Sequence, residues 1–183
     1  MSDHRTLPCT AFAGDRLLAA GPLADVALAV KAAGGDALVF EDATGRVIDL
    51  DLRGSDADIL ARLAPPAEPA PRGRGRPKLG VVPREVTLLP RHWDWLAAQS
   101  GGASVALRKL VEQAMRSDGG KQTRRAAQEA AYRAMTALAG DQPGYEEAIR
   151  ALFADDRTGF ARSIEGWPHD VANFVTTLAF RSY

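Results

Sequence analysis

The chain has 183 residues, 46% of them hydrophobic, with 23 Lys/Arg balanced by 23 Asp/Glu; that length suits one ordinary domain or two small ones. No run approaches the ~18 consecutive apolar residues of a membrane-spanning helix, and the N-terminus lacks the basic start and apolar run of a secretory signal. Cys9 is the single cysteine, which excludes an internal disulfide and a cysteine-rich zinc site, so the expected compartment is the cytoplasm.

The zero net charge conceals an asymmetry. Residues 1–71 carry six Lys/Arg and eleven Asp/Glu, residues 72–116 carry nine and three, and residues 117–183 carry eight and nine. A basic segment between acidic or neutral ones is the electrostatic footprint of a bounded nucleic-acid contact.

In chain order, residues 1–63 read as a small α+β domain. Residues 10–13 and 16–20 are short strands joined at Gly14-Asp15, a hairpin turn signal. After the Gly21-Pro22 break, Leu23, Val26, Ala27 and Val30 recur at helical spacing, and Gly34-Gly35 ends that helix. Residues 37–40 and 46–52 are the next strands, with residues 42–45 as the turn. In the second of these, Val47 and Asp49 alternate with Ile48 and Leu50. Ser55 is the expected N-cap of a short helix that buries Ile59, Leu60 and Leu63. No motif in this domain carries chemistry.

Residues 64–80 form a proline-rich linker that ends in a basic motif. Its first part, APPAEPAP, can form neither helix nor sheet interior and is expected to be extended. Its second part reads RGRGRPKLG from Arg72. The centre, Arg74-Gly75-Arg76-Pro77, resembles the AT-hook, a short peptide that lies in the minor groove of A·T-rich DNA. That groove is narrow and strongly negative and attracts arginine. The resemblance implies that Arg74 and Arg76 enter the groove while Gly75 presents no side chain to its floor. Pro77 steers the chain out, and Arg72 and Lys78 sit on phosphates, positioning without specifying. A hook alone binds weakly, so it ordinarily assists a second DNA-binding element.

Residues 81–117 supply that candidate element. Residues 84–89 read as a short strand stopped by Pro90. Residues 91–99 follow as a helix with Trp93, Leu96 and Ala97 on one stripe. Ser100-Gly101-Gly102 breaks it, and Ser104 is the expected N-cap of a second helix with Leu107, Leu110, Val111 and Ala114 at i, i+3, i+4 and i+7. This order, over residues 84–116, resembles the ribbon-helix-helix family. The resemblance implies a homodimer in which two strands pair into a ribbon that enters the major groove while the second helix points its N-terminus at a phosphate. Arg84, Thr87 and Ser104 are the contact residues it suggests. The ribbon register stays open. With Val86 and Leu88 buried, Glu85 and Thr87 face DNA; counting back from Pro90, Arg84, Val86 and Leu88 face outward.

Residues 121–183 read as helical. A long helix ends at Gly140, a second starts near Pro143, a third covers residues 156–165, and a fourth runs from Val171 to Phe180. A broader resemblance covers most of the chain. The run GRPKLGVVPREVTLLPRHWDWLAAQSGGAS, with DATGRVIDLDLRG before it and AAQEAAYRAMTALAGD after it, looks like an uncharacterised family of bacterial proteins. It implies a bacterial origin and the same three-part layout, and brings no activity with it.

His4, His92 and His169 are far apart in sequence and none forms a ligand-spaced pair, so no metal site is expected. No nucleophile-elbow, Walker or dinucleotide-binding motif is present. Trp93, Trp95 and Trp167 read as core residues, and Asp155-Asp156 as a helix cap or a solvated turn. The sequence thus predicts an α+β chain with four parts: a small α+β domain (1–63), the linker with its hook (64–80), the ribbon-helix-helix-like segment (81–117) and a helical region (121–183). The expectation is a dimeric, non-enzymatic protein that binds A·T-rich duplex DNA with no cofactor. The alternative is an antitoxin-like or adaptor protein whose C-terminal helices bind a protein partner.

Overall fold

Four consecutive residues of the first strand, Cys9, Thr10, Ala11 and Phe12, are buried, and this decides the architecture. Successive side chains of a strand point to opposite faces, so a run buried throughout needs cover on both sides. The computed structural model, which describes residues 4–64, 82, 84–118 and 120–181, shows where each cover comes from.

The sheet has four antiparallel strands in the order β2-β1-β3-β4: β1 (Pro8–Ala13), β2 (Arg16–Pro22), β3 (Leu38–Glu41) and β4 (Val47–Ile48). Thr10 lies opposite Phe40 and Ala11 opposite Val39, so the two central strands sort their side chains alike. Cys9, Ala11 and Val39 face α1 (Leu23–Ala32), packing with its Leu23, Val26 and Val30. Leu63 of α2 (Asp56–Leu63) packs at the margin of the same cluster. A capping box between Ser55 and Asp58 starts α2, as the sequence indicates.

On the opposite face Phe12 and Phe40 belong to a cluster supplied by the C-terminal helices. The four helices that the sequence predicts for this half are all present: α5 (Lys121–Ala139), α6 (Tyr145–Phe153), α7 (Arg157–Ser163) and α8 (His169–Ala179). Met135, Leu152, Phe160 and Val175 lie in this cluster. Phe174 stands 5.2 Å from Phe12 and 5.6 Å from Phe40 between ring centroids. Asp156 caps α7 by accepting from the Gly159 amide, and Trp167 is buried, its indole N–H donating to the Pro143 carbonyl.

The sequence reading separates residues 1–63 from residues 121–183; the structure joins them. Residues Met1–Glu68 and Gln122–Tyr183 make one compact unit, and Pro69–Lys121 make the other. The physical reason is the second face of the sheet, because Phe12 and Phe40 would be left in water without α5 and α8. Polar ties reinforce the junction. The Leu17 amide donates to Asp170, Arg133 donates to the Thr44 carbonyl, and Arg181 donates to the Asp42 carbonyl.

The fourth strand is shorter than the expected residues 46–52. Only Val47 and Ile48 pair; beyond them the chain is held by Arg62, which donates to the Asp51 carbonyl, while Leu50 and Leu52 still pack towards α1. In the second unit the described elements are α3 (Pro90–Ala97) and α4 (Gly102–Ser117).

Candidate nucleic-acid interface

Of the residues singled out for DNA contact, Arg72, Arg74, Gly75, Arg76, Pro77 and Lys78 lie outside the described residues. Arg84, Thr87 and Ser104 are described, and all three are exposed. The site is therefore built here from residues 84–117.

Residues 84–89 have no helix or strand assignment and pair with no strand among the described residues. Backbone groups left open in this way are what a pairing partner would satisfy. Both sides of this segment carry exposed residues, Val86 and Leu89 as well as Glu85 and Thr87, and Leu88 alone is half-buried. The register left open by the sequence is not chosen within one chain. Leu89 then serves as the extended N-cap of α3 with Pro90 at its first turn, a position where a missing N–H is harmless.

The helices meet through Leu96 and Ala106, the two buried residues among those described in this unit. The turn between them closes through the Gly102 amide, which donates to the Gln99 carbonyl. Gly101 is the N-cap of α4, with φ +88°, a left-handed conformation that glycine adopts without strain. The helix starts earlier than expected: Ser104 is not its cap but stands in its first turn, and no side chain caps the helix. The serine-glycine-glycine run signalled a break, but not which residue would begin the next helix. First-turn amides without a cap, together with the helix dipole, favour an anion. Arg108 donates to the Ser104 carbonyl, which brings a guanidinium to the same turn. Sequence reasoning singled out neither Arg108 nor Lys109; both are exposed on α4.

A shallow groove of about 190 Å³ runs between the helices, lined by Trp95, Gln99, Ser100, Ala106, Lys109 and Leu110. Trp93 and Trp95, expected in a core, are instead 41% and 52% exposed. Charge is modest here. Residues 84–117 hold five Lys/Arg against three Asp/Glu, so most of the positive excess of residues 72–116 resides in Arg72, Arg74, Arg76 and Lys78.

The first unit offers a different geometry. A groove of about 530 Å³ is lined by the apolar Leu7, Leu23, Val47 and Ile48 together with His4, Glu41 and Arg46. It is assembled from segments distant in sequence, and no local pattern announced it. Burial pushes the Cys9 thiol up to about 12, helped by Asp42 and Glu41, so it is a poor nucleophile. Among the described residues no three of His, Cys, Asp and Glu come together as a metal site, and no helix is long and apolar enough to cross a membrane. Arg124 and Arg125, on α5, are engaged with Asp155 and Glu129.

The model of one family, described as "Uncharacterized protein conserved in bacteria (DUF2239)", matches residues 8–179, spanning both units. No curated protein and no solved structure matches the chain.

Proposed function

We propose that the chain, which belongs to the bacterial family DUF2239, binds double-stranded DNA through residues 72–116, as a transcriptional regulator or a nucleoid-associated protein. The observation that carries the reading is the concentration of nine Lys/Arg against three Asp/Glu in that segment, beginning with RGRGRPK. On this reading Arg74 and Arg76 enter the minor groove of A·T-rich DNA around Gly75, and Pro77 leads the chain away. Arg72 and Lys78 neutralise phosphates. Residues 84–89, with Arg84 and Thr87, pair with their counterpart in a second chain to form a ribbon in the major groove. The uncapped start of α4 around Ser104, with Arg108 beside it, takes a further phosphate. The role is one of binding, without chemistry or cofactor, and its setting is the bacterial cytoplasm.

The test is a fluorescence-anisotropy titration of the full-length chain against matched A·T-rich and G·C-rich duplexes at two salt concentrations. Binding should favour A·T, and log K should fall with log salt by roughly 0.9 per phosphate contacted. Replacing Arg74 and Arg76 together by Ala should weaken A·T binding more than G·C binding. An equal loss on both duplexes contradicts groove insertion, and no binding at micromolar protein sinks the reading.

The adaptor alternative has one observation in its favour. Tyr132 of α5 and Phe153 of α6 stand side by side, 5.9 Å between ring centroids, and both are exposed. A stoichiometric protein partner that is lost on Tyr132→Ala would move this reading to first place.

A further inference from the structure

The groove of about 530 Å³ in the first unit lies beside β4, an edge strand of the sheet, where Val47 is 49% exposed. Leu7, Leu23, Val47 and Ile48 make its apolar wall, and Glu41, Arg46 and His4 supply its polar groups. Glu41 and Arg46 are neighbours across the β3–β4 hairpin. The Glu41 amide donates to the Arg46 carbonyl at 2.9 Å, one step beyond the Phe40–Val47 pair. Opposite charges so placed ordinarily attract each other across the strands, yet no ion pair joins these two. Glu41 Oε2 instead accepts from the Thr44 hydroxyl at 2.5 Å, and the exposed Arg46 guanidinium has no ion-pair partner among the described residues. The hairpin is braced from α5 and from the end of the chain. Arg133 donates to the Thr44 carbonyl, Arg181 donates to the Asp42 carbonyl, and Gly45 lies against the Ala130 carbonyl. A carboxylate and a guanidinium are thus held apart on a fixed turn beside an apolar wall, which lowers the ordering cost of binding a ligand between them.

We propose that this groove binds a small zwitterion with an apolar body, the chemistry of a short apolar peptide with free ends or of an apolar amino acid. Its ammonium meets Glu41, its carboxylate meets Arg46, and its side chains lie on Leu7, Leu23, Val47 and Ile48. Charge complementarity selects this class. An apolar carboxylate without an amine would stand near Glu41, and an apolar amine without a carboxylate near Arg46, each a like-charge contact; a ligand with both charges satisfies both groups. Pockets for small organic ligands span roughly 300–1,000 Å³, so the groove has room for more than one apolar side chain. The open edge of β4 also offers backbone groups to a peptide bond, which a free amino acid lacks. The site is independent of the DNA-binding reading, because every residue it uses belongs to the first unit.

The experiment titrates the full-length chain by calorimetry with leucyl-leucine, its C-terminal amide, its N-acetyl form and free leucine. The methyl resonances of Leu23, Val47 and Ile48 are followed in parallel. Leucyl-leucine should bind at millimolar concentration or below and shift these methyls. Amidation and acetylation should each weaken binding by about tenfold, the effect of losing one hydrogen bond between charged groups. In Arg46→Gln the acid and the amide should bind alike, and in Glu41→Gln the free and acetylated amines should bind alike, with the other comparison preserved in each variant. Glutamine at position 41 keeps an acceptor for the Thr44 hydroxyl. The cap comparison on the natural chain needs no variant, so a variant that fails to fold leaves the test standing. A tenfold preference for the dipeptide over leucine supports a peptide as the source of the ligand, and equal affinity supports a free amino acid at the same site. No binding at millimolar concentration, binding indifferent to both caps, or shifts confined to methyls outside the groove overturns the proposal.

Discussion

Gly45 turns with φ +64°, and a Cβ there would lie only 2.0 Å from the Ala130 carbonyl oxygen of α5. Sequence marks this residue as a turn glycine; it gives no sign that a helix some eighty residues later lies against it. Gly45→Ala meets both a left-handed backbone and a backbone atom that cannot rotate away, so it should destabilise the first unit by about 2 kcal/mol or more. Chemical denaturation followed by Trp167 emission checks this, and a midpoint equal to that of the natural chain would show that the turn does not bear on α5. Other residue identities were legible because their chemistry is local. Ser55 caps α2 and Asp156 caps α7, each within three residues of the amide it accepts from. Trp93 and Trp95 were not legible, since large aromatic side chains predict burial without saying whether the covering surface lies in the same chain.

At the scale of elements, periodicity placed the helices well: α1, α5, α6, α7 and α8 lie close to where apolar spacing put them. Strands fared less well, because a strand is defined by its neighbour. β4 stops after two residues where Arg62 and Asp51 take over, and residues 84–89 have the pattern of a strand with no partner strand among the described residues. Contact between elements also sets a pH dependence. The Leu17 amide of β2 holds the Asp170 carboxyl of α8 below the ordinary aspartate value, with His169 and Arg16 acting in the same direction. A carboxylate depressed in the folded state adds stability above its unfolded value, about 3.9, and loses it as pH falls through the folded value. The natural chain should therefore melt higher than Asp170→Asn at neutral pH, and the gap should narrow well below the aspartate range. A gap that persists unchanged in acid would show that the charge on Asp170 does not tie the strand to the helix.

At the scale of the whole molecule, the decisive fact is that the two ends of the chain share one core although the basic segment separates them in sequence. Residues 1–68 produced alone should fail to fold cooperatively, because Phe12 and Phe40 lose their cover, and adding residues 122–183 as a separate piece should restore a cooperative transition. Independent folding of the first piece would refute the shared core; calorimetry of the pieces apart and mixed decides it. Phe40→Ala should cost about 3–5 kcal/mol and lower the protection of both ends together. The sequence by itself determined the α+β class, the helices with strong periodicity and the clustering of positive charge, because each follows from residues close along the chain. The match of one bacterial family to residues 8–179 agrees with the likeness carried by its quoted runs. Only the tertiary structure decided that the sheet is covered on both faces, that the terminal segments form one unit, and that α3 and α4 leave an apolar face open. These depend on which distant surfaces meet, and burial of apolar area specifies how much must be covered without naming what covers it.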